Sequence, residues 1–313
     1  MGVMLLTDLR MKVESCSYID AMHGVLSHQG WVHADKFMLT GMTAAGFRFT
    51  VNRRLTEESP TAYNWMAENF LAADFVGITA SSQAGYCFDA TFPLYQKRAI
   101  SEIKQSLDRR VGAIFWKDQF VIATGYDDDK QILYYSDGKN GEYHILPYSD
   151  FGKNNDPYWY YQILENRIDL EESVVYEESL IQAVYKWENH DLMLPETEYA
   201  CGRDAYDAIV HALQTGDYDS ESVWHVFNCY AAAKKDIALY TAALQRIWPE
   251  AGMVAQPYAK LAQIYGQIMG TKFADQWLGL FIEAKETEEQ AIQAIKTLMR
   301  ETIDNRFNNV GLR

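Results

Sequence analysis

Residues 119–137 read QFVIATGYDDDKQILYYSD, and this stretch decides the fold. Residues 119–126 and 131–136 are rich in β-branched and aromatic side chains, which predicts two strands. The DDDK between them consists of turn-forming residues rather than a calcium loop, which needs a longer ladder of ligands. The stretch therefore predicts a hairpin that begins with Gln119 and ends with Asp137.

Short segments of mixed character surround this hairpin up to residue 168, and only helical periodicity follows it. Helices are predicted at 15–29, 61–73 and 94–110, and further strands at 47–51, 75–80, 111–116, 142–147 and 159–166. The later helices are predicted at 173–188, 201–214, 221–247, 256–269, 273–284 and 287–304. We therefore expect an α+β domain over 1–168, with an antiparallel sheet, and an all-helical domain over 169–313.

Composition restricts the classes of function. Of the 313 residues, 48% are hydrophobic, which is enough for a sizeable core. The net charge of −15 disfavours binding to nucleic acids and to anionic membranes, since both need clustered Lys and Arg. No apolar run approaches the roughly 18 residues of a membrane span. The N-terminal sequence does not resemble a signal peptide, so a cytoplasmic location is predicted.

Cysteine and histidine spacing predicts no metal centre. The chain has four scattered cysteines and no CxxC motif, which is typical of a reducing compartment. Three histidines in HGVLSHQGWVH are five residues apart and cannot share one helix face, so a zinc site is not expected. The absence of GxGxxG and P-loop motifs predicts no nucleotide cofactor. Cys87, Cys201 and Cys229 have apolar or aromatic neighbours and are predicted to be core residues.

Cys16 differs from the other cysteines because it stands where a helix is predicted to begin. Unpaired N–H groups and the positive end of the helix dipole favour a thiolate there and can stabilise an oxyanion. At 100° per residue, Asp20, His23 and Ser27 share a stripe with Cys16. This stripe either faces a cleft or is a solvated helix face, with Cys16 as a small buried residue at its end.

Several motifs together resemble a known family. Cys16 opens a helix that runs to Gly30 and Trp31, LTGMTAAGFRFTV follows, and the first hairpin strand runs into Gly-Tyr-Asp. These features resemble the papain-like fold of bacteriocin-processing cysteine peptidases and, more closely, the N-terminal domain of butirosin biosynthesis protein H. The resemblance covers roughly residues 14–165. It implies that Cys16 is a nucleophile, and that positions 119 and 137 correspond to the catalytic base and the residue that orients it.

The sequence departs from this family at the base. Gln119 stands where the family has His, and an amide cannot take a proton from a thiol. Asp137 is then expected to have no imidazole to orient. The Gln that often precedes the Cys is also missing; Glu14 and Asp8 are the nearby polar residues.

Three hypotheses remain for the chemistry. Cys16 uses another base, for which the candidates are His23, His28, His33 and His144. Alternatively, the helix dipole alone generates the thiolate, and the substrate is activated, such as a thioester. In the third hypothesis the domain has lost catalysis and only binds. The expected partner is a small-molecule, peptide or acyl-carrier substrate, with no cofactor and no metal.

Overall fold

The computed structural model describes residues 2–14, 17–139, 141–271 and 274–300. The described strands are β1 (Val3–Leu5), β2 (Thr50–Asn52), β3 (Ile78–Tyr86), β4 (Ala113–Trp116), β5 (Phe120–Asp127), β6 (Ile132–Ser136), β7 (His144–Pro147), β8 (Tyr158–Arg167) and β9 (Tyr199–Cys201). The described helices are α1 (Ser17–His28), α2 (Lys36–Met42), α3 (Trp65–Phe75), α4 (Phe92–Asp108), α5 (Glu172–Glu188), α6 (Arg203–Thr215), α7 (Val223–Ile247), α8 (Gly252–Gly270) and α9 (Ala274–Leu298). The chain is thus a mixed α and β protein with a helical C-terminal region.

These elements form two compact units. Unit 1 contains the N-terminal residues through Lys36 together with Trp65–Asp169. Unit 2 contains Phe37–Asn64 and the residues from Leu170 onward. The sequence-based division at 168/169 placed residues 37–64 in the first domain, whereas the structure packs them with the helices. The reason is a β-pairing that sequence periodicity does not reveal, because β2 pairs with β9, about 150 residues later.

Unit 1 is built on a seven-stranded antiparallel sheet. Its strand order is β3-β8-β4-β5-β6-β7, and β1 also pairs with β5. The predicted hairpin at 119–137 is observed as β5 and β6, with Ile122 opposite Ser136. Every residue of β5 is buried, since neighbouring strands flank it and α1 and α4 contact it. A Cβ atom on Gly24 of α1 would lie 2.8 Å from Cδ1 of Ile122, so the missing side chain permits the close approach of α1 to β5.

Unit 2 is a helical layer in which α7, α8 and α9 pack successively against one another. The 37–64 segment enters this layer through a close approach at Gly41, where a Cβ atom would lie 2.1 Å from the ring of Tyr240. Only glycine fits there without displacing the ring.

The core of unit 2 contains an ion pair. Lys234 Nζ on α7 lies 2.5 Å from Glu288 Oε1 on α9, with the two side chains 1% and 3% exposed. Tyr206 donates to the other oxygen of Glu288 at 2.6 Å, and Phe49 lies beneath the ammonium, 4.9 Å from its ring centroid. The pair is sealed from solvent and satisfied by protein partners.

Several element predictions need correction. Val3–Leu5, for which no element was predicted, form β1, a short strand that pairs antiparallel with β5. Within the described residues, the two helices predicted at 273–284 and 287–304 are one helix, α9, because no helix-breaking residue separates them; residues 273 and 301–304 lie outside the described residues. The strand predicted at 75–80 begins only at Ile78 and runs to Tyr86 as the nine-residue β3, whereas Phe75 is the last residue of α3. Polar residues at the exposed positions of β3 mask its alternation. No described helix is both long and apolar enough to cross a membrane.

Candidate active site at the Gln119–Asp137 end of the sheet

The first turn of α1 is anchored to the start of β5. The hydroxyl of Ser17, the first residue of α1, accepts a hydrogen bond of 3.2 Å from the backbone N–H of Phe120. The ring of Tyr18 lies edge-on to that of Phe120, with centroids 5.4 Å apart. The start of the helix and the start of the strand are therefore held together. The predicted nucleophile Cys16 lies outside the described residues, so the site is built from its neighbours.

The chain that enters α1 passes beside the end of β6. The N–H of Met11 donates to Ser136 Oγ at 3.1 Å. Gly138 has a φ of +78°, and a Cβ atom there would lie 2.9 Å from the backbone N of Val13. Glycine is required at this position because it tolerates both the left-handed backbone and the close approach. The N-terminal approach to α1 and the end of the hairpin therefore meet.

The predicted site residues Gln119 and Asp137 lie together at this end of the hairpin. Gln119 Nε2 donates to the backbone carbonyl of Asp137 at 3.0 Å. The amide thus occupies the predicted place of the base and ties the two strand ends together. One amide N–H remains for another acceptor, since Gln has two N–H donors.

Asp137 also binds an imidazole, which corrects the expectation that it has none to orient. His144 Nε2 lies 3.1 Å from Asp137 Oδ1, and the N–H of Lys139 donates to the same oxygen at 2.9 Å. The side chains of Asp137 and His144 are 14% and 39% exposed, so the carboxylate is sheltered and the imidazole reaches solvent. If Nε2 carries the proton that bonds to Asp137, Nδ1 is free to accept a proton.

The position of His144 follows from strand order. It opens β7, opposite Tyr135 of β6, and the two rings are 5.2 Å apart. Burial, followed by the nearby carboxylates of Asp137 and Asp118, raises the pKa of Tyr135. The sequence does contain a signal for this arrangement. The predicted strand 142–147 follows the hairpin closely, and a meander places its first residues beside Asp137.

The predicted polar stripe on α1 is only partly exposed among the described residues. Asp20 is buried at 2% exposure, and its carboxylate accepts the N–H of Glu14 and lies 3.7 Å from Lys36 Nζ. His23 Nε2 lies 3.1 Å from the carbonyl of Ala34. Asp20 and His23 therefore fix the chain around α1, whereas Ser27 is exposed, with its hydroxyl 3.3 Å from His23 Nε2.

The other candidate bases belong to different surroundings. His28 lies 3.4 Å from Asp8 at the far end of α1, and His33 lies beside Gly30 in the loop that follows α1. Among the described candidates, His144 alone pairs with a predicted site residue. Asp8 is thus engaged with His28, away from the start of α1.

The remaining cysteines divide by burial. Cys201 is buried, and desolvation raises the pKa of its thiol. Cys87 and Cys229 are half-buried, which corrects their assignment to the core. Cys229 Sγ lies 3.6 Å from His225 Nε2, one turn earlier on α7. In the part of the chain that the structure describes, no group of three or more His, Cys, Asp or Glu side chains is arranged to hold a metal ion.

An aromatic cluster, formed by Trp65, Trp116 and Phe120, lies next to the Ser17–Phe120 contact. Trp65, the first residue of α3, packs on Trp116 and Phe120 with ring centroids 4.5 and 5.2 Å away. Trp116 Nε1 donates to Asp156 Oδ2 at 2.8 Å. The sequence gives no local signal for Trp65 here, because this residue lies outside the hairpin and reaches it only through tertiary packing.

These contacts bring the start of α1, Gln119, Asp137 and His144 into one region, with an aromatic cluster beside it. Comparison with known proteins does not assign the chain to a family, because no protein-family model matches it and no curated protein is a significant sequence match.

Proposed function

We propose that this protein is a cysteine-dependent acyl-transfer enzyme with a papain-like N-terminal domain, in which Cys16 is the nucleophile. The observation that supports this most is the Asp137–His144 pair, 3.1 Å apart, at the hairpin end to which the start of α1 is anchored. A nucleophile needs a nearby base that a third group orients. His144 supplies the base, and Asp137 is the residue that orients it.

In this proposal the proton and the acyl group move in a closed cycle. His144 Nδ1 accepts the thiol proton of Cys16 as the sulfur bonds to the acyl carbon. The carbonyl oxygen becomes an oxyanion, and its collapse breaks the bond to the leaving group, which takes the proton from His144. Water or an amine then attacks the acyl-enzyme and gives a proton to His144. The carbon–sulfur bond breaks, the acid or amide is released, and His144 returns the proton to the sulfur of Cys16.

Gln119 has a different role in this proposal. It cannot titrate, but its amide N–H that is not bonded to the Asp137 carbonyl can donate to the oxyanion. We therefore propose that Gln119 is an oxyanion donor at the position where related peptidases have a base.

A thioester is the substrate class that fits this arrangement best. Its leaving group departs as a thiolate and needs less proton assistance than an amine does. His144 is 39% exposed, and Asp137 is the side chain to which it is hydrogen-bonded, which suits a modest proton-transfer role.

The test is thiol release from a small acyl thioester such as an N-acetylcysteamine thioester. We expect Cys16→Ser to abolish release and His144→Gln to lower its rate by about 10²- to 10⁴-fold, the usual contribution of a general base. The matched control is His211→Gln, at an exposed histidine on α6. Unchanged turnover in His144→Gln would remove His144 from the mechanism, and unchanged turnover in Cys16→Ser would end the proposal.

The second candidate function is ligand binding without catalysis. It is favoured by Gln119, whose amide ties the two strand ends together in the place of a base. This function predicts that Cys16 is alkylated with the pH dependence of an ordinary thiol and that His144→Gln leaves that profile unchanged. A profile displaced to low pH, and altered by His144→Gln, supports catalysis instead.

A further inference from the structure

A row of aromatic rings runs from the candidate site to an exposed surface of unit 1. Trp65 lies 5.8 Å from Tyr158, Tyr158 lies 5.3 Å from Tyr86, and Tyr86 lies 5.0 Å from Phe88, measured between ring centroids. Tyr158, Tyr86 and Phe88 are 45%, 43% and 71% exposed. Large rings in contact are normally buried, so this row presents an unusually large aromatic surface to solvent.

The last two rings are arranged for stacking. Tyr86 and Phe88 are nearly parallel, with 20° between their planes. Phe88 is the most exposed ring of the row, so a flat group can extend the stack over it. A planar π-system or a guanidinium can occupy such a position.

The charges around the row select between these groups. Asp89 follows Phe88 in the chain, and Asp156 Oδ1 accepts the backbone N–H of Tyr158 at 2.8 Å. Of the basic residues next along the chain, Arg98, Lys153 and Arg167 form ion pairs with Glu102, Asp150 and Asp169. Burial, then Tyr86 and Asp156, raise the pKa of Tyr158, so the Asp156 carboxylate acts electrostatically on the row. Negative charge beside ring faces attracts a cation and repels an anionic base or phosphate.

We propose that this row, Trp65–Tyr158–Tyr86–Phe88, is a binding surface for a guanidinium group of the substrate, such as an arginine side chain. Guanidinium is planar, is always charged and stacks on aromatic faces. The same chemistry occurs within this chain, where Arg48 lies 3.5 Å above the ring centroid of Tyr63. Asp89, adjacent to Phe88 in the chain, provides a carboxylate for the charged group.

The row is continuous with the candidate site through Trp65, which packs on Phe120. A substrate held on Tyr86 and Phe88 extends along the row toward the start of α1. This placement of the substrate rests on the proposed acyl-transfer function, whereas the binding of guanidinium does not.

The test uses N-acetyl-L-arginine methylamide as the probe and its uncharged isostere, N-acetyl-L-citrulline methylamide, as the comparison. Binding is followed by tryptophan fluorescence and by NMR shifts of the aromatic side chains. We expect the arginine probe to bind about tenfold more tightly than the citrulline probe. Phe88→Leu and Tyr86→Leu are expected to remove most of that preference, and Asp89→Asn to lower it by about two- to fivefold.

Tyr185→Leu is the matched control, at a 56% exposed tyrosine of α5 outside the row. It is expected to leave the preference unchanged. Equal affinities for the two probes, or a preference that survives both Phe88→Leu and Tyr86→Leu, would overturn the proposal. All titrations are repeated with Cys16→Ser, which lacks the nucleophile. Retained arginine preference without thioester turnover in the wild type would show that the acyl-transfer proposal fails and the binding surface stands.

Discussion

Each of the two units contains an acid–base pair, and the two pairs differ in burial. Lys234 and Glu288 in unit 2 are 1% and 3% exposed, and a buried tyrosine donates to the carboxylate. Asp137 and His144 in unit 1 are 14% and 39% exposed, and the imidazole reaches solvent. A buried pair is expensive to break, whereas an exposed pair contributes little to stability. Burial therefore separates a structural pair from one that is available for chemistry.

Burial also governs the ionisation of the tyrosines around the Lys234–Glu288 pair. Tyr206, Tyr258 and Tyr265 are fully buried, and their desolvation, followed by the charge of Glu288, raises their pKa values well above 10. Burial likewise raises the pKa of Tyr240. Each of these hydroxyls is therefore harder to ionise in folded unit 2 than in the unfolded chain. Their ionisation favours the unfolded state.

The largest expected effect is thus on alkaline stability. A pKa that is raised in the folded state gives full stability below the unfolded value near 10, and this stability is lost as the pH rises above it. At about pH 11 each of the four tyrosines lowers the free energy of unfolding by about 1.4 kcal/mol, or about 6 kcal/mol together. Circular dichroism and tyrosinate absorbance, recorded against pH, are expected to change together for these residues. Separate ionisation of the four tyrosines in folded protein would contradict their burial.

Breaking the buried pair is the next largest effect. We expect Lys234→Met to lower the free energy of unfolding by about 3–5 kcal/mol, because Glu288 is left buried without its cation. The double variant Lys234→Met/Glu288→Met removes both charges and is expected to recover most of this loss, as measured by denaturant unfolding. Equal destabilisation in the single and double variants would show that packing, and not charge, makes the pair important.

The exposed pair is expected to show the smallest effect on stability. Asp137→Asn is expected to change the free energy of unfolding by less than about 1 kcal/mol, because solvent screens the interaction with His144. The same denaturant measurement serves for both pairs, so the two values are directly comparable. A loss close to that of Lys234→Met would mean that Asp137 is mainly a structural residue of the hairpin end.

Much of the fold around the site was predictable from the sequence. The hairpin 119–137 has strong strand composition and turn residues between its strands, so its pairing is local and leaves a local signal. Gln119 and Asp137 were therefore expected at one end of the hairpin, and the structure places them there, 3.0 Å apart from amide nitrogen to carbonyl oxygen. The helix after Cys16 was predicted for the same reason, because its apolar residues recur at helical spacing.

The pairing of His144 with Asp137 was not predictable in the same way. Strand composition predicted the 142–147 segment, but only its pairing with β6 brings the imidazole to the carboxylate. For Asp20 the prediction was wrong. Helical spacing predicted that it lies on a polar stripe, whereas Lys36 and Glu14 enclose it in the structure.

The sequence by itself determined the hairpin, the helical character after residue 169 and the acidic composition, because each depends on residues close together in the chain or on their total number. Tertiary structure alone decided that residues 37–64 join unit 2 and that Lys234 is buried against Glu288. These contacts join residues separated by up to about 150 positions, and many alternative pairings satisfy the same local patterns. Only simultaneous packing of the whole chain selects among them.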